Sequence, residues 1–400
     1  MNILTLSICY LPGYKAGGPI KSIAGLVERL GDELKFKIVT MDRDWGDDSA
    51  YPSIARDCWN PVGKAEVFYL APGQVNLPFL YRLIKNTPHD VLYLNSIFAP
   101  DFTIRPLLLR KVRLIPRVPT IVAPRGELSQ SALTIKFRKK RLYLAFARIL
   151  GLYRNVIWQV SSEHERDDLS RNLADIVRVH DKMHRVFVTA VVAPDLVART
   201  MSSPARERTA HKVPGALRAV FLSRVSRMKN LDGAIKLLRQ VAGTVVFDIY
   251  GPIEDQEYWR ECQQAIATLP PNVSARYLGS VHPDNVPLVL SGYDLFLLPT
   301  RGENFGHVIL EALLAGCLVL TSNRTPWRDL ESRNAGWDLP LEVPSRFVAA
   351  LQECVALSAA ELSRRSEHAR ILARQYVLDE TATEQNRRLF RNALAQSPLA

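Results

Sequence analysis

Residues 294–322, DLFLLPTRGENFGHVILEALLAGCLVLTS, restrict the possible folds of this chain more than any other stretch. An apolar run from Asp294 ends at Pro299, and a polar loop follows from Thr300 to Phe305. Gly306 to Ala315 has helical spacing, with Val308, Leu310, Leu313 and Leu314 apolar. Gly316 stops that helix, because glycine tolerates the left-handed turn at a helix end. A second apolar run, Cys317 to Thr321, comes next. The order strand, loop, helix, strand predicts parallel strands buried between helices. Glu303 on the loop and Glu311 inside the helix are eight positions apart. Between them lie the unpaired N–H groups of a helix start, which carry partial positive charge and attract phosphate. Gly306 lets a ligand approach the backbone closely. Carboxylates accept hydrogen bonds and so suit sugar hydroxyls. Together these features fit a nucleotide sugar. Taken alone, the pair reads more simply as a capping Glu303 and a solvated Glu311.

The same alternation runs along the whole chain. Strands are expected at 3–9, 36–40, 65–70, 91–94, 120–123, 156–161 and 185–189, and again at 217–223, 245–250 and 273–278. Helices are expected between them, including 19–30, 128–148, 231–241, 255–268 and 284–291, with 345–356, 359–375 and 378–395 at the end. A length of 400 residues is too great for one ordinary core. The expected class is therefore α/β, with two Rossmann-like domains facing each other across a cleft. Their boundaries are expected at 1–200 and 216–375, with a polar, Pro-containing linker at 201–215. A closing helix, 376–400, is expected to pack back on the first domain.

Five cysteines are scattered without CxxC spacing, and Cys9 and Cys317 lie in apolar runs. Buried reduced thiols in a cytoplasmic protein are expected, with neither disulfides nor zinc. The start, MNILTLSICYLPGYKAGG, lacks a basic lead and breaks at Pro12-Gly13, so it reads as a strand and not as a signal peptide. No run of about 18 apolar residues exists to span a bilayer. The net charge of +12 is concentrated, since residues 105–154 hold 13 Lys or Arg and one acidic residue, Glu127. The helix LSQSALTIKFRKKRLYLAFAR at 128–148 suits an anionic membrane surface, which would place the protein peripherally at the inner face of the cytoplasmic membrane. An ordinary surface helix with a solvated basic face is the simpler alternative. Spaced stacking aromatics are lacking, so no nucleic acid is expected. Asp42-Arg43-Asp44 has a DxD form, but two Asp in a loop read more simply as solvated, and no metal is expected.

At this point the motifs become recognisable. SRVSRMKN at 223–230, IYGP at 249–252, LGSV at 278–281 and PTRGENFGHVILEALLAGCLVL at 299–320 resemble the retaining glycosyltransferases of family 4, which have the GT-B fold. PRGELS and TPWRDL resemble, more softly, a branch that builds bacterial surface polysaccharides. The resemblance implies that Arg224 and Lys229 hold the donor diphosphate, that Glu311 binds the ribose and that Glu303 contacts the donor sugar. It also implies that Phe305, Gly306 and His307 supply backbone N–H groups, and that Gly17 and Gly18 form the loop closing over the diphosphate. Where many members carry a His after the fifth strand, this chain has Arg125, which leaves diphosphate or an anionic acceptor as its ligand. Asn230 reads as the cap of the following helix.

The implied reaction moves a sugar from a UDP- or GDP-sugar to an acceptor hydroxyl with retention, without a metal. A lipid-linked glycan is the expected acceptor, in exopolysaccharide, O-antigen or lipopolysaccharide synthesis. The alternatives are a nucleotide-sugar-binding assembly subunit without transfer activity, and a same-fold epimerase or phosphorylase.

Overall fold

The computed structural model describes residues 1–134, 137–173, 179–180, 186–187, 190–199 and 212–395. The chain divides into two compact units. Unit 1 comprises Met1–Arg199 and Asp379–Ala400, and unit 2 comprises Thr200–Leu378.

Unit 1 contains strands β1 (Asn2–Leu6), β2 (Lys35–Met41), β3 (Trp59–Val62), β4 (Ala65–Leu70), β5 (Val91–Asn95), β6 (Thr120–Ala123), β7 (Ile157–Val160), β8 (Val179–His180), β9 (Val186–Phe187) and β10 (Ala190–Val192). Its helices are α1 (Gly18–Leu30), α2 (Leu77–Asn86), α3 (Arg105–Lys111), α4 (Gln130–Thr134), α5 (Phe137–Ile149) and α6 (Glu163–Leu173). Eight strands form one sheet in the order β10-β7-β6-β5-β1-β2-β4-β3. All its pairings are parallel except that of β3 with β4. Pro61 is tolerated in β3 because this is an edge strand, where the missing N–H breaks no ladder. Successive residues of β1 feed opposite faces: Leu4 and Leu6 join one hydrophobic cluster, Ile3 the other.

Unit 2 contains β11 (Ala216–Leu222), β12 (Thr244–Tyr250), β13 (Val273–Tyr277), β14 (Leu295–Leu298), β15 (Leu318–Ser322) and β16 (Gly336–Leu339). Its helices are α7 (Leu231–Leu238), α8 (Gln256–Ala267), α9 (Val286–Ser291), α10 (His307–Ala315), α11 (Pro344–Ala356) and α12 (Ala359–Leu378). The sheet order is β13-β12-β11-β14-β15-β16, parallel throughout. The last helix, α13 (Thr381–Ala395), belongs to unit 1. There Phe390 is fully buried, edge-on to Tyr93 at 5.5 Å and to Phe36 at 6.2 Å.

Several elements differ from the expectations. The strand that extends the unit 1 sheet is β10, not 185–189, of which only the short β9 is described, paired with β8. Two helices, α4 and α5, stand where 128–148 predicts one, and residues 135–136 between them lie outside the description. Of the expected linker only 212–215 is described, and there Lys212 is buried, its Nζ donating to the Cys354 carbonyl at 2.8 Å. Cys58 is exposed, while Cys9, Cys262, Cys317 and Cys354 are buried, and none of the five is in a disulfide among the described residues. Among the described residues, no helix is long and apolar enough to cross a membrane.

Candidate functional site

In each sheet the strand order reverses beside its first strand, between β1 and β5 in unit 1 and between β11 and β14 in unit 2. Loops leaving the C-terminal ends of such strands are where doubly wound sheets take ligands. In unit 2 these loops are 223–230, after β11, and 299–306, after β14.

Both loops are tied down by backbone contacts. Gly251, at φ 136°, ends β12, and a Cβ there would lie 1.9 Å from the Ser223 carbonyl oxygen. That close approach explains the glycine of IYGP, because it sets the path of the loop carrying Arg224. Asn230 adopts a left-handed conformation (φ 58°) and its side chain does not cap α7. Instead its Nδ2 donates to the Pro299 carbonyl at 2.8 Å, joining the two loops. The Arg301 backbone N–H donates to the Met228 carbonyl at 2.8 Å, and the Glu303 N–H donates to that of Arg324 at 3.0 Å.

The charged groups then fall into two pairs. Lys229 Nζ donates to the Glu303 carboxylate, with 12% and 11% of the two side chains exposed. Arg224 pairs with Glu254 at 2.9 Å, and both are far more open to solvent. The structure thus unites Lys229 with Glu303 and gives Arg224 a different partner.

Helix α10 begins at Gly306, which sits at φ 79° and ψ 55° and offers no capping side chain. A Cβ there would lie 2.9 Å from Ile309 Cδ1. Phe305 is buried, and its carbonyl accepts from Trp327 Nε1 at 2.8 Å. The Phe305, Trp327 and Tyr376 rings pack together, with centroids 5.0 to 5.9 Å apart, and His307 lies 4.5 Å from Phe305. This cluster holds the helix start in place. Buried His307 opens the first turn of α10, and half-buried Glu311 lies one turn further on.

In unit 1, Gly17 (φ 70°) immediately precedes α1, and Gly18 is its first residue. The loop before them is held by buried Asp44, which accepts from the backbone N–H groups of Tyr14 at 2.7 Å, Lys15 at 3.1 Å and Trp45 at 2.8 Å. Asp42 is fully buried and accepts from Arg43 Nε at 2.8 Å. Both Asp residues of the DxD are therefore buried and not solvated, and Asp44 supports the glycine loop while Asp42 pairs with Arg43. Among the described residues no cluster of His, Cys, Asp and Glu could hold a metal.

Arg125 follows β6, on a different strand end from Gly17 and Gly18. Its side chain is 8% exposed and forms an ion pair with buried Asp195. Its Nη2 donates to Tyr93 Oη at 2.6 Å and to Asn95 Oδ1 at 2.8 Å. Like Lys229 and Arg224, this guanidinium has a carboxylate counterion, and Tyr93 and Asn95 hold it in addition. Beside it, Glu165 accepts from the Gly126 N–H at 2.6 Å and from the Ser161 N–H at 2.7 Å. Glu127 accepts from the Ile97 N–H at 2.7 Å. Burial raises both carboxyls above their ordinary range, and these hydrogen bonds pull in the opposite direction.

Sequence reasoning named Asp44 without its role in the loop, and it missed Asn95, Asp195 and Trp327. Trp327 lies in the TPWRDL stretch and Asp44 in the DxD stretch, but nothing local marks Asn95 or Asp195.

The fold defined by these two sheets is that of GT-B glycosyltransferases. Residues 206–387, a stretch that takes in most of unit 2, match the family described as glycosyl transferases group 1. No curated protein matches the chain. Many solved structures are similar to this chain, among them three that match over nearly its whole length. HepE of Anabaena, crystallised with UDP and glucose, is 15% identical at a TM-score of 0.64, covering 99% of this chain and 100% of that one. Sucrose-phosphate synthase of Thermosynechococcus elongatus is 15% identical at a TM-score of 0.67, with the same coverage. WaaG, described as a glycosyltransferase involved in lipopolysaccharide biosynthesis, is 13% identical at a TM-score of 0.60, covering 96% and 98%.

Proposed function

We propose that this chain is a retaining glycosyltransferase of family 4, moving a sugar from a nucleoside diphosphate sugar to an acceptor hydroxyl. The observation that carries the reading is the Lys229–Glu303 pair on the loops at the strand-order reversal of unit 2, beside a helix start shaped by Gly306. In this reading Lys229 and Arg224 take the diphosphate, which gains negative charge as the glycosidic bond breaks. Electrostatic stabilisation of that charge is a large catalytic contribution in many enzymes. The N–H groups of Phe305, Gly306 and His307 add to it, and cationic side chains do the work that Mg²⁺ does elsewhere. Glu303 then accepts from donor-sugar hydroxyls and Glu311 from the ribose. The leaving phosphate oxygen serves as the base for front-face attack. Gly17 and Gly18 supply a backbone that can approach the diphosphate. HepE has been crystallised with UDP-glucose, which makes UDP-sugars the first donors to test.

The acceptor in this reading is a lipid-linked saccharide at an anionic membrane face. Helix α5 exposes Phe137, Leu142, Phe146 and Ile149 beside Arg138, Lys139 and Arg141, with Val112 and Leu114 also exposed. Apolar residues flanked by basic ones favour an anionic lipid surface.

The test is a thermal-shift panel of UDP- and GDP-sugars on wild type and Glu311→Ala, without added metal. One nucleotide class should stabilise wild type and not the variant, because binding to the native state raises stability with ligand concentration. Equal shifts in both proteins, or none in either, would remove the donor-site assignment. Turnover of the stabilising donor separates a transferase from a binding subunit.

A further inference from the structure

The C-terminal edge of β5 holds a group that the donor site does not use. Asn95 is the last residue of β5, is 4% exposed, and pairs in register with Ala123 at the end of β6. β5 lies next to β1, where the strand order of unit 1 reverses and a doubly wound sheet takes its ligand. Asn95 Oδ1 accepts from Arg125 Nε at 3.1 Å and from Nη2 at 2.8 Å. A guanidinium only donates, so chemistry fixes the amide orientation: the oxygen faces Arg125, and the other atom is the Nδ2 donor. That Nδ2 is buried and has no partner among the described residues. Leaving a buried donor unpaired forfeits its hydration, and native folds rarely do so without a reason.

The surroundings hold this donor in place. Arg125 is fixed by Asp195 and by Tyr93, whose Oη donates to Gln159 Oε1 at 2.5 Å. The next residue, Ser96, sits at φ 115°, an uncommon conformation for a residue with a Cβ. It is pinned there by its Oγ, which donates to Glu127 at 2.9 Å and accepts from the Phe98 and Ala99 N–H groups at 3.1 Å. Such strain persists where the surroundings over-determine it, and it concentrates at functional sites. The charges point to the ligand. Arg125 is balanced by Asp195, and Lys140 acts on the buried Glu127 carboxyl with Glu165 also close by, so among the described residues each cation at this edge has a carboxylate to offset it, which disfavours a phosphate or carboxylate ligand. A single uncharged donor suits a neutral hydroxyl oxygen.

We propose that Asn95 Nδ2 donates to a hydroxyl of the sugar that accepts the transferred glycosyl group, and that Arg125 is the positioning residue that orients it. This rests on the glycosyltransferase reading above. The test uses methyl glycosides of glucose, galactose, mannose and N-acetylglucosamine as probes, with binding followed by saturation-transfer NMR. Wild type, Asn95→Asp and Arg125→Lys are compared, and UDP-glucose binding is measured on the same samples. Asn95→Asp keeps the oxygen that Arg125 needs but turns the donor into a charged acceptor, so Asn95→Ala is read beside it as the uncharged loss of the donor. At least one glycoside should bind wild type and bind Asn95→Asp ten-fold or more weakly, while Arg125→Lys, which can still donate to Oδ1, loses less. Asn95→Ala serves as the second variant, with circular dichroism confirming its fold. Equal glycoside affinity in wild type and the Asn95 variants would overturn the proposal, as would no glycoside binding to wild type. UDP-glucose binding that persists in either case leaves the glycosyltransferase reading standing, and its loss in wild type would remove that reading first.

Discussion

At the scale of residues, the ion pair between Lys229 and Glu303 is the most informative contact in the chain. Both side chains are nearly out of solvent, so removing one leaves the other charge poorly compensated. Hydrogen bonds to charged groups are worth about 1.5–3 kcal/mol. Lys229→Ala is therefore expected to weaken donor binding roughly 10- to 100-fold, by the usual conversion of about 1.4 kcal/mol per ten-fold. Isothermal titration with UDP-glucose checks this, and an unchanged affinity would place the diphosphate elsewhere. Glu303→Gln should keep the diphosphate affinity more nearly and lose sugar-hydroxyl contacts instead, so UDP alone and UDP-glucose should diverge in that variant. The same scale shows where sequence reasoning reached its limit. Glu303, Gly306 and Glu311 are readable because helix spacing and glycine chemistry are local. Asn95 and Asp195 are not, because they meet Arg125 across 30 and 70 residues of chain. Arg125 itself was noticed as an oddity, yet only its contacts show that its charge is already balanced.

At the scale of elements, the βα alternation was legible because strands of a buried parallel sheet are nearly continuous apolar runs. Leu295–Leu298 and Leu318–Ser322 are buried at every position. The missed strands lack that signature. Trp59–Val62 is half exposed and contains Pro61, and Gly336–Leu339 opens on a glycine at φ 148°. Their places are set by neighbours: Gly336 needs no side chain because a Cβ there would lie 1.9 Å from the Val319 carbonyl oxygen. Gly251 is the parallel case beside the site. Gly251→Val should push the Ser223–Arg224 backbone away from β12, lower the melting temperature and weaken donor binding together. A variant with full donor affinity would show that the glycine serves the fold and not the site. Trp327→Phe is a milder probe, since it removes one hydrogen bond to the Phe305 carbonyl, worth about 1 kcal/mol. Urea unfolding would register that loss.

At the scale of the whole molecule, buried carboxyls make stability depend on pH. Burial raises the Glu165 carboxyl above its ordinary value, so the native state holds this proton more tightly than the unfolded chain does. Its stabilising contribution is then fully present below the unfolded value and is lost as pH rises through the folded one. The stability difference between wild type and Glu165→Gln should therefore shrink as pH climbs above the ordinary glutamate range of about 4.3. Urea midpoints measured at half-unit steps test the sign, and a widening gap would contradict it. Helix α13 supplies the other molecular-scale prediction. Phe390 is fully buried in the core of unit 1, and Phe390→Ala should destabilise that unit by about 3–5 kcal/mol, read from calorimetry.

The return of α13 to unit 1 also bears on how the protein is made. A ribosome delivers the chain from the N-terminus, and domains generally fold as they emerge. Unit 1 cannot do so here, because Leu389, Phe390 and Ala393 close its core and follow the whole of unit 2. The first 199 residues must wait with part of an apolar face open while residues 200–378 are synthesised. Unit 2, by contrast, is one unbroken segment that can complete itself first. The nascent protein is then most exposed to aggregation and to chaperones in its earliest-made half, and a stop codon ahead of residue 379 would leave that half unfinished for good.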